Sequence, residues 1–193
     1  MDNPEDTIRT YLELQIAGGF RDPDEIAEAA LEYDEEIEPD VARPIIERLL
    51  PQLIAARLGE QKHWPTTTDC DRLDAAFAEL TASGIVCRQD FTCCQNCGVA
   101  EIGAEIEDEA ASGVAPRGYA FYHQQDTEGA VEGHGVHLSF GALNDEAGNA
   151  LAIGTEIAAV LTRHGLVCIW DGTTARRIQV DLNWQRRLAV TSH

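Results

Sequence analysis

The spacing of apolar residues after residue 84 is the feature that most constrains the fold. Apolar side chains alternate with polar ones in short segments and recur every three to four positions in longer ones, which predicts strands and helices respectively. The predicted strands are 85–91, 118–123, 135–140, 166–170 and 177–182, and the predicted helices between them are 98–112 and 151–164. This order of elements is that of a ferredoxin-like mixed-sheet sandwich with one extra edge strand and with the helices on one face.

The first 62 residues carry helical signals alone. Asn3-Pro4 and Asp22-Pro23 each combine a side chain that caps a helix with a proline that fits the first helical turn. No strand pattern interrupts the apolar residues that follow at helical spacing. We therefore predict an α+β protein in two parts, an N-terminal α-helical unit at 1–62 and an α+β domain at 63–193.

The charge of the chain limits its partners. It has 34 acidic and 14 basic residues, a net charge of −20, and such a field repels the phosphates of nucleic acids and anionic membrane surfaces. We therefore predict no nucleic-acid or membrane partner, and we favour metal ions, cationic ligands or basic proteins, although a solvated acidic surface has the same composition. Because the start of the chain lacks a signal-peptide pattern and no apolar run reaches membrane-spanning length, we predict a cytoplasmic protein with reduced cysteines.

Three of the six cysteines lie in the segment Asp90–Glu101, where a predicted strand is followed by a predicted helix. Cys94 and Cys97 form a C-x-x-C motif, and the free amides and dipole of a helix N-terminus stabilise a thiolate there. Such a pair suits thiol redox exchange or a soft metal ion, while a purely structural turn of small thiols is the third interpretation. The other three cysteines are predicted to be core residues without chemistry: Cys70, Cys87 and Cys168.

Zinc is the cofactor that this motif makes possible, but a zinc site needs about four ligands. Cys94 and Cys97 supply two, and Cys93 is expected to point elsewhere if the backbone is regular. The strand that ends near His123 is predicted to neighbour the first strand, so His123 is the expected third ligand. Further candidates are Asp126, His134 and His137.

A second polar cluster follows the predicted strand at 118–123. Four polar residues come in succession there, namely His123, Gln124, Gln125 and Asp126. A histidine with a nearby aspartate can act in general acid–base chemistry. The alternative is that Asp126 or Thr127 caps a short helix while the other side chains bind the backbone at the end of the sheet. The sequence favours the capping role without excluding the chemical one.

Four arginines form a basic region near the end of this acidic chain. They are Arg176, Arg177, Arg186 and Arg187. Since acidic side chains are far more numerous than basic ones, we predict that these arginines pair with carboxylates of the same chain rather than bind an anion.

Several motifs together resemble a bacterial family that is catalogued only as a domain of unknown function. They are Trp64-Pro65, Thr68–Leu73, Phe91–Gln95, Cys97-Gly98, Gly118-Tyr119, His123–Glu128, Trp170–Gly172 and Arg176–Ile178. The resemblance covers nearly the whole chain and implies no activity. It does imply that the cysteine segment and the segment from His123 to Glu128 belong together.

Two hypotheses on function follow. The first is a non-catalytic module that binds a protein or a small ligand, with the cysteine turn serving structure. The alternative is a thiol-based redox or zinc-binding protein that uses Cys94 and Cys97 with His123 and Asp126. The sequence does not decide whether the chain is an enzyme, nor does it identify a substrate, a partner or an oligomeric state.

Overall fold

A computed structural model describes residues 3–113, 115–144 and 148–188. Its helices are α1 (Pro4–Gly18), α2 (Pro23–Leu31), α3 (Pro39–Gln61), α4 (Asp69–Ala82), α5 (Gln95–Ala111), α6 (Gln124–Val131) and α7 (Asn149–Arg163). Its strands are β1 (Ile85–Arg88), β2 (Gly118–Phe121), β3 (Val136–Ala142), β4 (Val167–Ile169) and β5 (Ile178–Asp181). The described residues therefore form a mixed α+β structure with seven helices and one five-stranded mixed sheet. This confirms the predicted α+β fold class.

The chain divides into two compact units. The first comprises Met1–Thr66 with Gln185–His193, and the second comprises Thr67–Trp184. Such a division does not show that either unit folds alone, so the proposed boundary between 1–62 and 63–193 stays a prediction. Among the described residues, no helix is both long enough and apolar enough to span a bilayer.

In the first unit, α1, α2 and α3 pack around an apolar core. Asn3 caps α1, and Asp22 caps α2 through a reciprocal capping box with Glu25, as the sequence signals predicted. Leu12 and Leu49 are buried in the core between the helices, and Leu188 packs against it as well. Residues 185–188 therefore belong to the first unit rather than to the sheet.

The sheet of the second unit has the order β1-β2-β3-β5-β4. β1 pairs with β2 in parallel, and the remaining neighbours are antiparallel. A ferredoxin-like sandwich would place β3 between β1 and β2, so the predicted ferredoxin-like arrangement is corrected. The physical reason lies in α5, which serves as the crossover that a parallel pair needs and joins two strands that are immediate neighbours.

Helices cover both faces of this sheet rather than one. Phe121 of β2 faces α5, because a Cβ on Gly98 of that helix would lie 2.4 Å from the Phe121 ring. Tyr122 follows on the opposite face, since successive residues of an extended chain point to opposite sides. Its ring lies 6.1 Å from that of Phe77 in α4. The prediction of helices on a single face is therefore wrong, and the cysteine loop lies on the face of α5.

Candidate functional site

The loop between β1 and α5 has an unusual backbone. Asp90 and Thr92 have φ angles of 51° and 59°, in the left-handed region that residues other than glycine seldom occupy. The start of α6 holds the loop in place: the Gln124 amide donates to the Thr92 carbonyl over 3.1 Å, and the Thr127 hydroxyl donates to the Asp90 carboxylate over 2.6 Å. The resemblance implied that these two segments belong together, and they are in direct contact.

The loop brings three thiols together at the surface. The Sγ atoms of Cys93 and Cys97 are 3.5 Å apart, and those of Cys94 and Cys97 are 3.7 Å apart. All three sulfur atoms lie within 4.8 Å of one another. Cys93 was expected to point elsewhere, and this expectation is wrong because the left-handed residue at Thr92 breaks the regular backbone on which it depended.

The pKa shifts of Cys94 and Cys97 have opposite directions. Cys94 is the N-cap of α5, and the amide of Cys97 lowers the pKa of the Cys94 thiol, assisted by the neighbouring thiols and the amide of Asn96. The pKa of Cys97 is raised to about 11, first by its hydrogen bonds with the thiols of Cys93 and Cys94. Cys94 therefore loses its proton before Cys97 does, and Cys97 holds a proton that it can donate to the Cys94 thiolate.

The other cysteines are outside this cluster. Cys70 and Cys87 are buried, and Cys168 is half-buried. Burial raises the pKa of Cys87 to about 12 and also raises the pKa of Cys168. The thiols of Cys87 and Cys168 are therefore protonated at neutral pH. The expectation that the three cysteines have no chemistry stays a prediction.

His123 and Asp126 form a buried helix cap. Only 6% of His123 and 7% of Asp126 is exposed. The Asp126 amide donates to His123 Nδ1 over 3.3 Å, and the His123 amide donates to Asp126 Oδ2 over 3.2 Å. Because Nδ1 accepts a hydrogen bond, the ring proton lies on Nε2, which is 3.1 Å from Asp126 Oδ2. His123 itself is the N-cap of α6, whereas the sequence suggested Asp126 or Thr127 for that position.

Arg177 completes this cluster, although no sequence signal had placed it beside His123 and Asp126. Its guanidinium forms an ion pair with the Asp126 carboxylate and donates to the His137 carbonyl. Burial, followed by the charges of Arg177 and His137, lowers the pKa of His123, while Asp126 acts in the opposite direction. His123 is thus a neutral structural residue with its ring nitrogens engaged. Arg177 immediately precedes β5, and β5 pairs with β3, which carries His137. Its contact with this cluster could be predicted only once that strand pairing was known.

The structure does not bring the predicted zinc ligands Cys94, Cys97 and His123 into one group. Among the described residues, one group of three or more potential ligands lies close enough to hold a metal ion, and it consists of Cys93, Cys94 and Cys97. Asp126 is likewise outside the group. Gln124 and Gln125 form the first turn of α6, where Gln124 is half-buried and Gln125 exposed.

Comparison with known proteins places the whole chain in one family. A family model described as a domain of unknown function, DUF6891, matches residues 1–188. Neither the curated proteins nor the solved structures gave a match. The match confirms the resemblance that the cysteine and histidine segments suggested. The chain belongs to the DUF6891 family, a domain of unknown function.

Proposed function

We propose that this protein binds a zinc ion through Cys93, Cys94 and Cys97. The observation that supports the proposal is the approach of three sulfur atoms to within 4.8 Å, with two of the pairs at 3.5 and 3.7 Å. Zinc binds thiolate sulfur at about 2.3 Å in a tetrahedron, which puts two ligand sulfurs about 3.8 Å apart. The thiols are therefore spaced for the metal before it binds.

The charges around the thiols favour a cation. The Cys94 thiol has a lowered pKa, so one ligand is ready to lose its proton, and a bound metal displaces the protons of the other two. The net charge of −20 attracts a divalent cation to the protein as a whole. Dithiol exchange needs two thiols, so a third thiol in the same group favours coordination.

The proposed site has three protein ligands and an open fourth position. Cys93 is exposed, and Cys94 and Cys97 are half-buried, so the fourth ligand reaches the ion from solvent. Zinc sites with an open position exchange that ligand. The role that fits is a small module that binds zinc and, through it, a thiol, a water molecule or another external ligand. This role corresponds to the zinc-binding alternative drawn from the sequence, with Cys93 in place of His123, and not to the module in which the cysteine turn serves structure alone.

A second candidate is thiol–disulfide exchange, and the opposite pKa shifts of Cys94 and Cys97 favour it. In this reaction the Cys94 thiolate attacks one sulfur of a substrate disulfide and releases the other as a thiolate. Cys97 then loses its proton and attacks Cys94, which releases the second substrate thiolate and leaves a Cys94–Cys97 disulfide. An external thiol would have to reduce that disulfide, since two electrons have passed to the substrate.

The cellular compartment and the class of partner are also proposals. Free thiols at an exposed position suit a reducing compartment, which supports the cytoplasm. The negative charge supports a partner that is neither nucleic acid nor membrane. A protein or a small ligand is the partner class that remains.

The test is the zinc content of the untagged full-length protein, purified without chelator and measured by inductively coupled plasma mass spectrometry. We expect about one zinc per chain, as a single thiolate site requires, and loss of the metal in Cys93→Ser, Cys94→Ser and Cys97→Ser. The control is Cys168→Ser, a half-buried thiol outside the cluster, which should keep its zinc. His123→Asn should also keep it, although the sequence named His123 as a ligand.

Alkylation of the same samples separates the candidates. Zinc-loaded protein should protect all three thiols from iodoacetamide until a chelator is added. If the protein takes up no zinc, and Cys94 alkylates below neutral pH and oxidises to a disulfide with Cys97, zinc binding is wrong and thiol exchange replaces it. If there is no zinc and the thiols react no faster than free cysteine, both proposals fail.

A further inference from the structure

An open cleft of about 720 Å³ lies beside the thiol loop in the second unit. Gln95, the residue after Cys94, forms part of its wall, and most of the other lining residues come from β4, β5 and the segment between them. Its volume is in the range of pockets that bind small molecules, about 300–1,000 Å³. None of the residues that line the cleft is a thiol, so its occupancy can be argued without reference to zinc.

The cleft concentrates basic side chains on an acidic protein. Arg176, Arg177 and His137 all line it. Arg177 is held by its ion pair with Asp126, whereas Arg176 is exposed and, within the described ranges, takes part in no ion pair. The prediction that these arginines pair within the chain is therefore confirmed for Arg177, while Arg176 has no carboxylate partner among the described residues.

One carboxylate also lines the cleft and has to be accounted for. Asp171 lies in the same wall, but its Oδ1 accepts hydrogen bonds from the Thr173 amide over 3.0 Å and from the Thr173 hydroxyl over 2.8 Å. These hydrogen bonds orient the carboxylate but do not neutralise its charge. Because Asp171 and Arg176 form no ion pair among the described residues, the Arg176 guanidinium is available to a ligand.

The wall that carries Arg176 is fixed in place. The indole Nε1 of Trp170 donates to the Thr173 carbonyl over 2.9 Å and to the Arg176 carbonyl over 3.2 Å. The Trp170 ring also packs edge-on against Phe140, with 5.6 Å between ring centroids. Trp170 and Ile169 add apolar surface next to the charges. The backbone at Arg176 is thus anchored, and its exposed cationic side chain lies beside apolar surface. Such a surface suits a ligand that joins a negative charge to an apolar body.

We propose that this cleft binds a small organic oxyanion, with its carboxylate or phosphate on Arg176 and its apolar body against Trp170 and Ile169. Gln95 and Gln179 line the same cleft. The Gln179 amide donates one hydrogen bond to the His134 carbonyl over 3.3 Å, so one of its two N–H donors is left for the anionic oxygens. The planar guanidinium presents two parallel donors to such a group. Ligand binding here is a separate property from the proposed zinc site.

The test is a titration of the full chain with benzoate, followed by the ¹H–¹⁵N signal of the Trp170 indole, which is assigned from its loss in Trp170→Phe. Benzoate should shift this signal to saturation, while benzamide, which has nearly the same shape without the charge, should not. Phenyl phosphate in place of benzoate shows which oxyanion is preferred. Arg176→Gln should weaken benzoate binding at least about tenfold, as expected for the loss of a charge-assisted pair.

The matched control is Arg43→Gln, which removes one positive charge from an exposed arginine in the first unit. It should bind benzoate as the unchanged protein does. The proposal is overturned if benzamide binds as well as benzoate, if Arg43→Gln weakens binding as much as Arg176→Gln does, or if neither oxyanion shifts the indole signal. Zinc content measured on the same samples shows whether such a failure concerns the cleft alone.

Discussion

The cysteine loop and the His123 cap both place polar side chains where a strand gives way to a helix, yet their surroundings are opposite. In the cap, His123 and Asp126 are buried and bind each other, the backbone and Arg177. In the loop, Cys93, Cys94 and Cys97 are exposed or half-buried, and their sulfur atoms face one another.

The difference separates polar groups that serve the fold from polar groups that are available to a ligand. A buried group whose hydrogen bonds are all made within the chain stabilises the native state, and its removal leaves a partner without compensation. Exposed thiols in mutual contact add little to stability, because each keeps access to water. Stability measurements on one region and ligand measurements on the other should therefore give opposite patterns.

The largest effect on stability is expected for Asp126→Ala. The substitution removes the carboxylate that pairs with Arg177 and accepts from the His123 amide. Because the Arg177 guanidinium then stays in a mostly buried site without a counter-charge, we expect the free energy of unfolding to fall by about 3–5 kcal/mol. Urea denaturation of the purified protein measures this loss.

The control for that experiment is Glu132→Ala. Glu132 lies at the end of the same helix, and its ion-pair partner among the described residues is the exposed ring of His134, 3.7 Å away. Its removal should therefore change stability by less than about 0.5 kcal/mol. An equal loss in both variants would show that α6 is sensitive to any substitution. The loss in Asp126→Ala could then not be attributed to the buried cap.

The second effect tests how closely α5, the helix that follows the thiol loop, packs on the sheet. A Cβ on Gly98 would lie 2.4 Å from Cε2 of the buried Phe121, so Gly98→Ala should destabilise the protein by about 1–3 kcal/mol. Gly103 lies on the same helix, and a Cβ there would meet nothing within 4 Å. Gly103→Ala should therefore stabilise the protein by about 0.5–1 kcal/mol. Thermal unfolding of both variants measures the contrast, and two changes of the same sign would contradict the packing.

Local signals predicted the elements of the fold, whereas the sheet order depended on contacts between distant segments. The helix starts at Asn3 and Asp22 followed from capping side chains and prolines, and apolar periodicity located the strands. The residues of β1 and β2 do not indicate that these strands are direct neighbours, or that α5 and α4 cover opposite faces of the sheet. Several sheet orders bury the same apolar residues, so the ferredoxin-like order was an assumption about topology that the sequence could not test.

In the candidate site, too, local sequence signals were sufficient for some residues, whereas others depended on backbone geometry or on distant contacts. The C-x-x-C motif identified Cys94 and Cys97 because their spacing places both thiols at one helix start. Cys93 was misjudged, since its direction depends on the left-handed backbone at Thr92, and a threonine there is rare enough that no sequence rule predicts it. Arg177 was missed as the partner of Asp126, which is 51 residues away in the chain.

The third prediction concerns pH and the cap. Burial lowers the pKa of His123 in the fold, whereas the unfolded chain has a histidine pKa of about 6.5. Between these two values the unfolded state binds more protons, so stability falls as the pH drops from about 6.5 through the folded pKa. Asp126 opposes this shift, and Arg177 and His137 reinforce it.

His123→Asn isolates this effect, because an asparagine oxygen can still accept the Asp126 amide as an N-cap. On going from about pH 7.5 to about pH 5, the variant should lose less unfolding free energy than the unchanged protein does. His134→Asn, which removes an exposed histidine, should follow the unchanged protein. If the variant and the unchanged protein lose the same amount, His123 is not the group that titrates.

The smallest effect on stability is expected for Cys94→Ser, and it is the sharpest test of the comparison. Serine is among the best N-cap residues, so the start of α5 should form as well as before, and the zinc-free variant should unfold within about 0.5 kcal/mol of the zinc-free protein. When zinc is added, only the unchanged protein should gain stability, because a metal that binds the native state alone stabilises it by mass action. Urea denaturation with zinc and with chelator gives all four values. A loss of more than about 2 kcal/mol in the zinc-free variant would show that the thiols, like His123 and Asp126, stabilise the fold. Serine keeps the N-cap, and even complete loss of a cap costs no more than about 2 kcal/mol.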